Sequence, residues 1–347
     1  MIETGFKNCP YSGVSVEMAN IVDVARLAGV SKTTVSRVIN NYPHISADKR
    51  ALVLNAMEEL EYTPNLSARR LRGQVTTTIA VVVPRIVNPF FSYLVDAIEK
   101  VGYRNGYQTL ICQTNEDKEK ELTYLNLLKT KQADGIIMTS IENDWEVIEP
   151  YTEYGPIVLC NEYVSNAKIP MIRLDQFKGT YIGIKHLIER GHRKIAYCTG
   201  GLFTEFGKDK DRNLGYQKAL QEAGIQVNPN WILVNQHTIE DGKRILKLLL
   251  EMKDRPTAVF TGSDEIAGGL IMAAKKEGVS IPRDLAIIGF DDQPIAEMLD
   301  PALTTIRQPI EQMGTKAGEV LMELLDDVNV EPATYELPVE LVIREST

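Results

Sequence analysis

From Thr78 onward the chain alternates short β-rich apolar runs with longer amphipathic stretches. The runs are TIAVVVP, YQTLICQ, DGIIMTS and PIVLC, then RKIAYCTG, WILVN, TAVFTG and LAIIGFD. Near-continuous apolar strands separated by helices belong to parallel sheets, whose faces are both covered by the crossover helices. These runs are too many for one typical domain, and the series restarts after the irregular stretch 161–176. The pattern predicts an α/β core over 78–347 built of two doubly wound parallel-sheet lobes. Ligands in such sheets sit beyond the carboxyl ends of the strands, and two lobes facing each other make a cleft.

Residues that follow the strands are therefore the candidates for ligand contact. They are Asn88, Phe90 and Phe91 after the first run, Asn161 after PIVLC, Asp175 after MIRL, Asp264 after TGS, and Asp291 after IIGF. Aromatic faces with carboxylates suit a sugar-like or otherwise polyhydroxylated ligand. Taken one at a time, the aspartates also read as helix N-caps and the phenylalanines as core.

The segment before the core has a different rhythm. Asn20 stands where an N-cap belongs, ahead of a helix whose apolar residues Ile21, Val24, Ala25 and Ala28 recur at i, i+3, i+4, i+7. Gly29 ends it, and Ser31 caps a second helix within AGVSKTTVSRVIN. There Val35, Val38 and Ile39 face inward, which leaves Lys32, Thr33, Thr34, Ser36, Arg37 and Asn40 outside. A third helix from Ala47 to Leu60 closes a small core with Val53, Ala56, Met57 and Leu60. This is helix-turn-helix spacing, and it frees the outer face of the second helix to enter a major groove. A polar helix alone would read as an ordinary solvated surface. The sequel tips the balance: after Tyr62 and Pro64 comes NLSARRLRG, three arginines around Leu71 on a helix too short to stand alone. Such a segment suits a minor-groove binder that folds on DNA, with Leu71 as wedge and Arg69, Arg70 or Arg72 on phosphates.

Charge agrees with this division. The 347-residue chain carries −9 overall. Between Ala19 and Gly73, however, Arg26, Lys32, Arg37, Lys49, Arg50, Arg69, Arg70 and Arg72 outnumber Asp23, Asp48, Glu58, Glu59 and Glu61 by three. Screening confines each charge to about 8 Å at physiological salt, so a local basic patch binds phosphates on an acidic body.

Other classes find little support. No run is long and apolar enough to span a bilayer, and MIETGFKNCPYSGVSVE has neither a signal-peptide h-region nor a transit pattern, so a cytoplasmic protein without membrane contact is expected. Cys9, Cys112, Cys160 and Cys198 show no metal or disulfide spacing, and the last three read as apolar fillers of buried strands. No metal, cofactor or catalytic residue is expected: the chain has no GxSxG, P-loop or GxGxxG, and His44, His186, His192 and His237 lie in unrelated settings. A solute-binding protein would share the two-lobed body, but it has no use for residues 20–73.

DVARLAGVSKTTVSRVIN followed by ELEYTPNLSARRLRG closely resembles the N-terminal signature of LacI/GalR-type bacterial repressors. NPFF, GHRKIAY, RNLGY, SDEIAGG, IIGFDD and TTIRQP are similar, more loosely, to that family's effector-domain landmarks. The resemblance implies a small all-α helix-turn-helix headpiece (19–63) after a tail without regular structure (1–18), then a hinge helix and linker (64–77), and a periplasmic-binding-protein-like core (78–347). It implies DNA contacts from Lys32, Thr33, Thr34, Ser36, Arg37, Asn40, Tyr62, Asn65, Ala68, Leu71 and Arg72, and adds Arg212 to Asp291 as the positions most often turned toward the effector. The expected protein is a transcriptional repressor acting as a homodimer on a pseudo-palindromic double-stranded DNA operator. Its partner is an effector, a sugar or sugar phosphate first and a nucleobase otherwise, or a phosphorylated carrier protein, and cleft closure would alter the separation of the hinge helices. Two departures bear on the effector: Asn161 and Glu162 stand where many relatives have an acidic residue and an arginine, and LFTEFGKDKD before Arg212 is long and charged.

Overall fold

A computed structural model describes residues 19–39, 42, 45–62, 76–200, 207–326 and 331–347, with the backbone alone for 207–209. The chain separates between Val75 and Thr76 into two compact units. The hinge segment around Leu71 and the tail lie outside the described residues.

The first unit holds α1 (Ile21–Leu27), α2 (Lys32–Ile39) and α3 (Ala47–Glu59). Asn20 caps α1 in a capping box: its side chain accepts from the Val22 amide at 2.8 Å, and its own amide donates to Asp23 at 3.0 Å. Gly29 follows at φ 63°, a left-handed turn that a residue without Cβ makes at no steric cost. Ser31 Oγ then accepts from the Thr34 amide at 3.1 Å and starts α2. Val24, Ala25, Ala28, Val35, Val38, Val53 and Ala56 form the buried core.

The second unit contains two six-stranded sheets. One runs in the order β2 (Gln108–Gln113), β1 (Thr78–Val83), β3 (Gly135–Met138), β4 (Ile157–Cys160), β5 (Met171–Leu174) and β11 (Thr334–Leu337), all parallel. The other runs β7 (Ile232–Leu233), β6 (Ile195–Cys198), β8 (Ala258–Phe260), β9 (Ala286–Asp291), β10 (Thr304–Arg307) and β12 (Glu340–Val342). Helices α4 (Pro89–Arg104), α5 (Lys118–Lys129) and the single turn α6 (Trp145–Ile148) connect strands of the first sheet. The second is connected by α7 (Gln176–Glu189), α8 (Gly207–Glu222), α9 (Ile239–Glu251), α10 (Asp264–Glu277) and the short α11 (Ile295–Met298).

Two doubly wound lobes are thus present, with three features the apolar pattern did not predict. The stretch 161–176 is not irregular throughout, because β5 lies within it. The chain crosses between lobes three times: at Asp175, at Gln308–Pro309, and at Pro338–Val339 after α12 (Ile310–Asp326) and β11 have returned to the first lobe. The last strand, β12, pairs antiparallel with β10. β5, β10, β11 and β12 are short and carry Arg173, Arg307, Glu336 and Glu340, so none reads as a continuous apolar run. α12 docks on α4 through Gly314, where an added Cβ would come within 2.6 Å of Ala97 Cβ. Central strands are almost wholly buried, at about 1.5–3 kcal/mol for each large aliphatic side chain. Cys112, Cys160 and Cys198 are among the buried residues, each a free thiol raised by burial.

Candidate effector cleft and DNA-reading helix

A cavity of about 300 Å³ lies between the carboxyl ends of the two sheets. Its second-lobe wall is built around Asp291, the last residue of β9, which is buried at φ 117°. One carboxylate oxygen accepts from Gln308 Nε2 at 2.5 Å and the other from Gln293 Nε2 at 2.9 Å. Burial pushes its pKa up to about 7, against the opposing pull of the Arg212 charge and the two amides. Arg212 lies on the same wall with its guanidinium 3.8 Å from the centre of the Phe290 ring. Its Nε donates to Gln176 Oε1 at 2.7 Å and its Nη1 to the Gly262 carbonyl at 3.1 Å.

The first-lobe wall comes from loops. Asn88 caps α4 by accepting from the Phe90 amide, and with Phe90 and Phe91 it lines the cavity while both rings also reach the core. Asn161 holds φ 71° at the end of β4. Asn161 Oδ1, Ser140 Oγ and Gln308 Oε1 are buried on the wall with no hydrogen-bond partner among the described residues. Among the described residues, hydrogen bonds between the lobes across the opening include Tyr163 Oη to Asp211 at 2.7 Å and Arg85 Nη2 to the His237 carbonyl at 3.3 Å.

Six of the eight residues expected at the effector are on this wall: Asn88, Phe90, Phe91, Asn161, Arg212 and Asp291. Asp175 and Asp264 are not. Asp175 occupies the first crossing between lobes and caps α7, accepting from the Lys178 amide at 2.8 Å. Asp264 is fully buried behind Asp291, where it accepts from the Gln293 amide at 2.7 Å and bonds Thr305 Oγ1 at 2.5 Å. The cap of α10 is Ser263 instead. Burial, then the neighbouring Asp291 charge, raises the Asp264 pKa well above the carboxylate range.

On the headpiece, Lys32, Thr33 and Arg37 are exposed on α2, and Ser36 is half-buried. Thr34 is half-buried with its hydroxyl 2.9 Å from Ser31 Oγ, so it serves the helix start. Tyr62 packs against the headpiece core. Asn40, Asn65, Ala68, Leu71 and Arg72 lie outside the described residues.

Residues 20–65 match the family model described as bacterial regulatory proteins, lacI family, and residues 184–347 match a periplasmic binding protein-like domain. Over 331 residues the sequence is 44% identical to the NTD biosynthesis operon regulator NtdR of Bacillus subtilis (strain 168), covering 95% of this chain and 100% of that protein. The chain belongs to the LacI family. Among solved structures, the Lac repressor dimer bound to operator and the anti-inducer ONPF is similar with a TM-score of 0.81 at 28% identity, covering 94% of this chain and 98% of that one. A complex of the transcriptional regulator CelR with cellobiose reaches a TM-score of 0.70 at 26% identity, covering 95% and 100%. This LacI-family protein is a DNA-binding transcriptional regulator, and the solute-binding-protein alternative falls away. No described helix is long and apolar enough to cross a membrane.

Several wall residues of this LacI-family core escaped sequence reasoning, among them Arg85, Glu116, Ser140, Glu142, His237 and Gln308. The strand-end rule that found Asn161 and Asp291 would have found most of them had it been applied to YQTLICQ, DGIIMTS, WILVN and TTIR as well. His186 and His192 are away from the wall; they bond Thr347 Oγ1 and Thr257 Oγ1, each at 2.9 Å, and burial lowers both pKa values.

Proposed function

We propose that the protein is a homodimeric repressor that reads a pseudo-palindromic operator through the exposed face of α2, and that a small polyhydroxylated effector in the cleft sets its operator affinity. One observation carries the effector half of this reading: buried Asn161 Oδ1, Ser140 Oγ and Gln308 Oε1, without a hydrogen-bond partner among the described residues, line the cavity beside Asp291. Buried acceptors without partners are costly, and a ligand rich in hydroxyl donors satisfies them. The cellobiose in the CelR complex and the dimer in the Lac repressor complex are in keeping with this reading. Lys32, Thr33, Ser36 and Arg37 are the side chains assigned to base edges, with the segment 64–73 assigned to the minor groove.

The test begins with selection of bound duplexes from random DNA by the full chain, which should return a motif with two-fold symmetry. Arg37→Ala should then lower affinity for that motif by about 1 to 3 kcal/mol while circular dichroism stays unchanged. Unchanged affinity removes Arg37 from the reading face, and failure to select any motif overturns the reading.

A further inference from the structure

On each side of the cleft, a wall residue has a neighbour in sequence that reaches across to the other lobe. Asn161 follows β4 on the first wall, and Tyr163 comes two residues later; Arg212 stands on the second wall, and Asp211 precedes it on α8. Tyr163 Oη donates to Asp211 at 2.7 Å. Both ends of that bond are held within their own lobes. On the first, the Tyr163 ring packs against a buried cluster of the sheet and lies beneath the Arg173 guanidinium, 4.7 Å from the ring centre. Arg173 Nε in turn donates to Glu336 at 2.9 Å, within the register pair that joins β5 to β11. These are two strands that run into crossings between the lobes, at Asp175 and at Pro338. On the second lobe, the residue after Asp211 is tied to Gln176 and to the Gly262 carbonyl. Burial, then the hydrogen bond to Asp211, pushes the Tyr163 phenol up to about 12, so it remains a donor at neutral pH.

We infer that Tyr163 is a positioning residue for the effector: its bond to Asp211 sets the spacing of the lobes at which Asn161 and Arg212 face one cavity. The inference rests on the cleft being the effector site and adds what holds its two walls together. A hydrogen bond is short-ranged, so a parting of about 1 Å at this point breaks it. Rotation of one lobe about the crossings therefore gives up the Tyr163 bond as the cleft opens. The Arg85 bond to the His237 carbonyl, 3.3 Å long, joins the lobes through other residues. Changes at Tyr163 leave it in place, so losing the hydroxyl loosens the cleft without freeing the lobes.

Tyr163→Phe tests this in the full chain, because it keeps the ring against Arg173 and removes only the hydroxyl. Nitroxide labels are attached at Glu119→Cys and Glu240→Cys, exposed positions in the first turns of α5 and α9, one on each lobe. Cys9→Ser removes one competing thiol, and Cys112, Cys160 and Cys198 are buried. Labelled chain is diluted with unlabelled chain, and the distance between labels is read by pulsed electron paramagnetic resonance without any ligand. Tyr163→Phe should move the distribution to longer distances, Asp211→Ala should do the same, and the double variant should add nothing to either. Unchanged distances in both single variants overturn the inference, and so do shifts that add. Cellobiose, glucose and glucose 6-phosphate are then titrated by calorimetry. Whichever binds the wild type should bind Tyr163→Phe roughly tenfold more weakly, the loss expected for one hydrogen bond to a charged acceptor. Equal affinity in the two proteins overturns the positioning role, whatever the distances show. If none of the three binds the wild type, the effector reading loses its support, and the label distances alone decide whether Tyr163 sets the lobe spacing.

Discussion

The two lobes of the core have the same strand order through their first five strands yet hold their cavity walls by different means. In the second lobe the wall is anchored from behind. Asp291 is fixed by Gln293 and Gln308, Gln293 by Asp264, and Asp264 by Thr305 one strand away on β10. The next residue, Asp292, is held at φ 54° by Arg307 and Arg344, which tie β9 to β10 and β12. In the first lobe the wall is a set of loops, and a buried carboxylate helps hold the one carrying Ser140, Ile141 and Glu142. Glu121 on α5 accepts from the amides of Glu142 at 2.8 Å and Asn143 at 2.9 Å, and from the Asn143 side chain. The wall of one lobe is an interlocked chain of side-chain hydrogen bonds, and the wall of the other is made of loops.

The largest effect expected from this contrast is at Glu121. Glu121→Gln puts an amide nitrogen where one or two donors now find an acceptor, a loss of about 1 to 3 kcal/mol confined to the loop. Affinity for a cleft ligand should fall roughly tenfold, while operator affinity without ligand and the melting temperature change little. Calorimetry and gel-shift titration on the same preparation would show it, and a global loss of stability instead would mean that the first lobe is as interlocked as the second.

A smaller effect belongs to the anchor. Asp264 and Asp291 have pKa values raised in the folded protein, so near pH 6 the folded chain holds protons that the unfolded chain has released. The contribution of Asp291 to stability is therefore present at low pH and lost as pH climbs from the usual carboxylate range through about 7, and that of Asp264 changes in the same direction. Thermal unfolding between about pH 5 and 8 should show the core melting lower at the alkaline end. The expected loss is on the order of 1 to 4 kcal/mol, or about 2 to 4 °C for each kcal/mol. Asp264→Asn should flatten that slope, because its amide can face Thr305 and its oxygen the Gln293 amide. An equally steep slope in the variant would place the titrating group elsewhere.

The same contrast accounts for what could be read from the sequence. Strand identity was legible where both faces are buried, as in TIAVVV and AIIGFD, and was lost at half-exposed strands such as TYEL and ELV. Asp291 and Asn161 were legible because each directly follows an apolar run. Asp264 was misplaced because an aspartate at a helix start looks the same in sequence whether it faces the ligand or lies behind the residue that does. Glu121 was invisible: on α5 it sits among Lys118, Glu119 and Lys120, and nothing local separates a buried carboxylate from its solvated neighbours. The triple crossing between lobes was equally hidden, since α12 and β11 return to the first sheet through contacts remote in sequence.

The central claim is that occupancy of this cleft controls reading of DNA by the headpiece. Its most direct test is the affinity of the full chain for its selected operator, measured with and without each of a panel of free sugars, amino sugars and sugar phosphates, in wild type and Asp291→Asn. The account predicts that at least one compound shifts wild-type operator affinity by roughly fivefold or more, a coupling of about 1 kcal/mol, and that none shifts the variant, whose affinity without ligand is unchanged. A wild-type protein indifferent to the whole panel, or a variant that responds as fully as wild type, would contradict it.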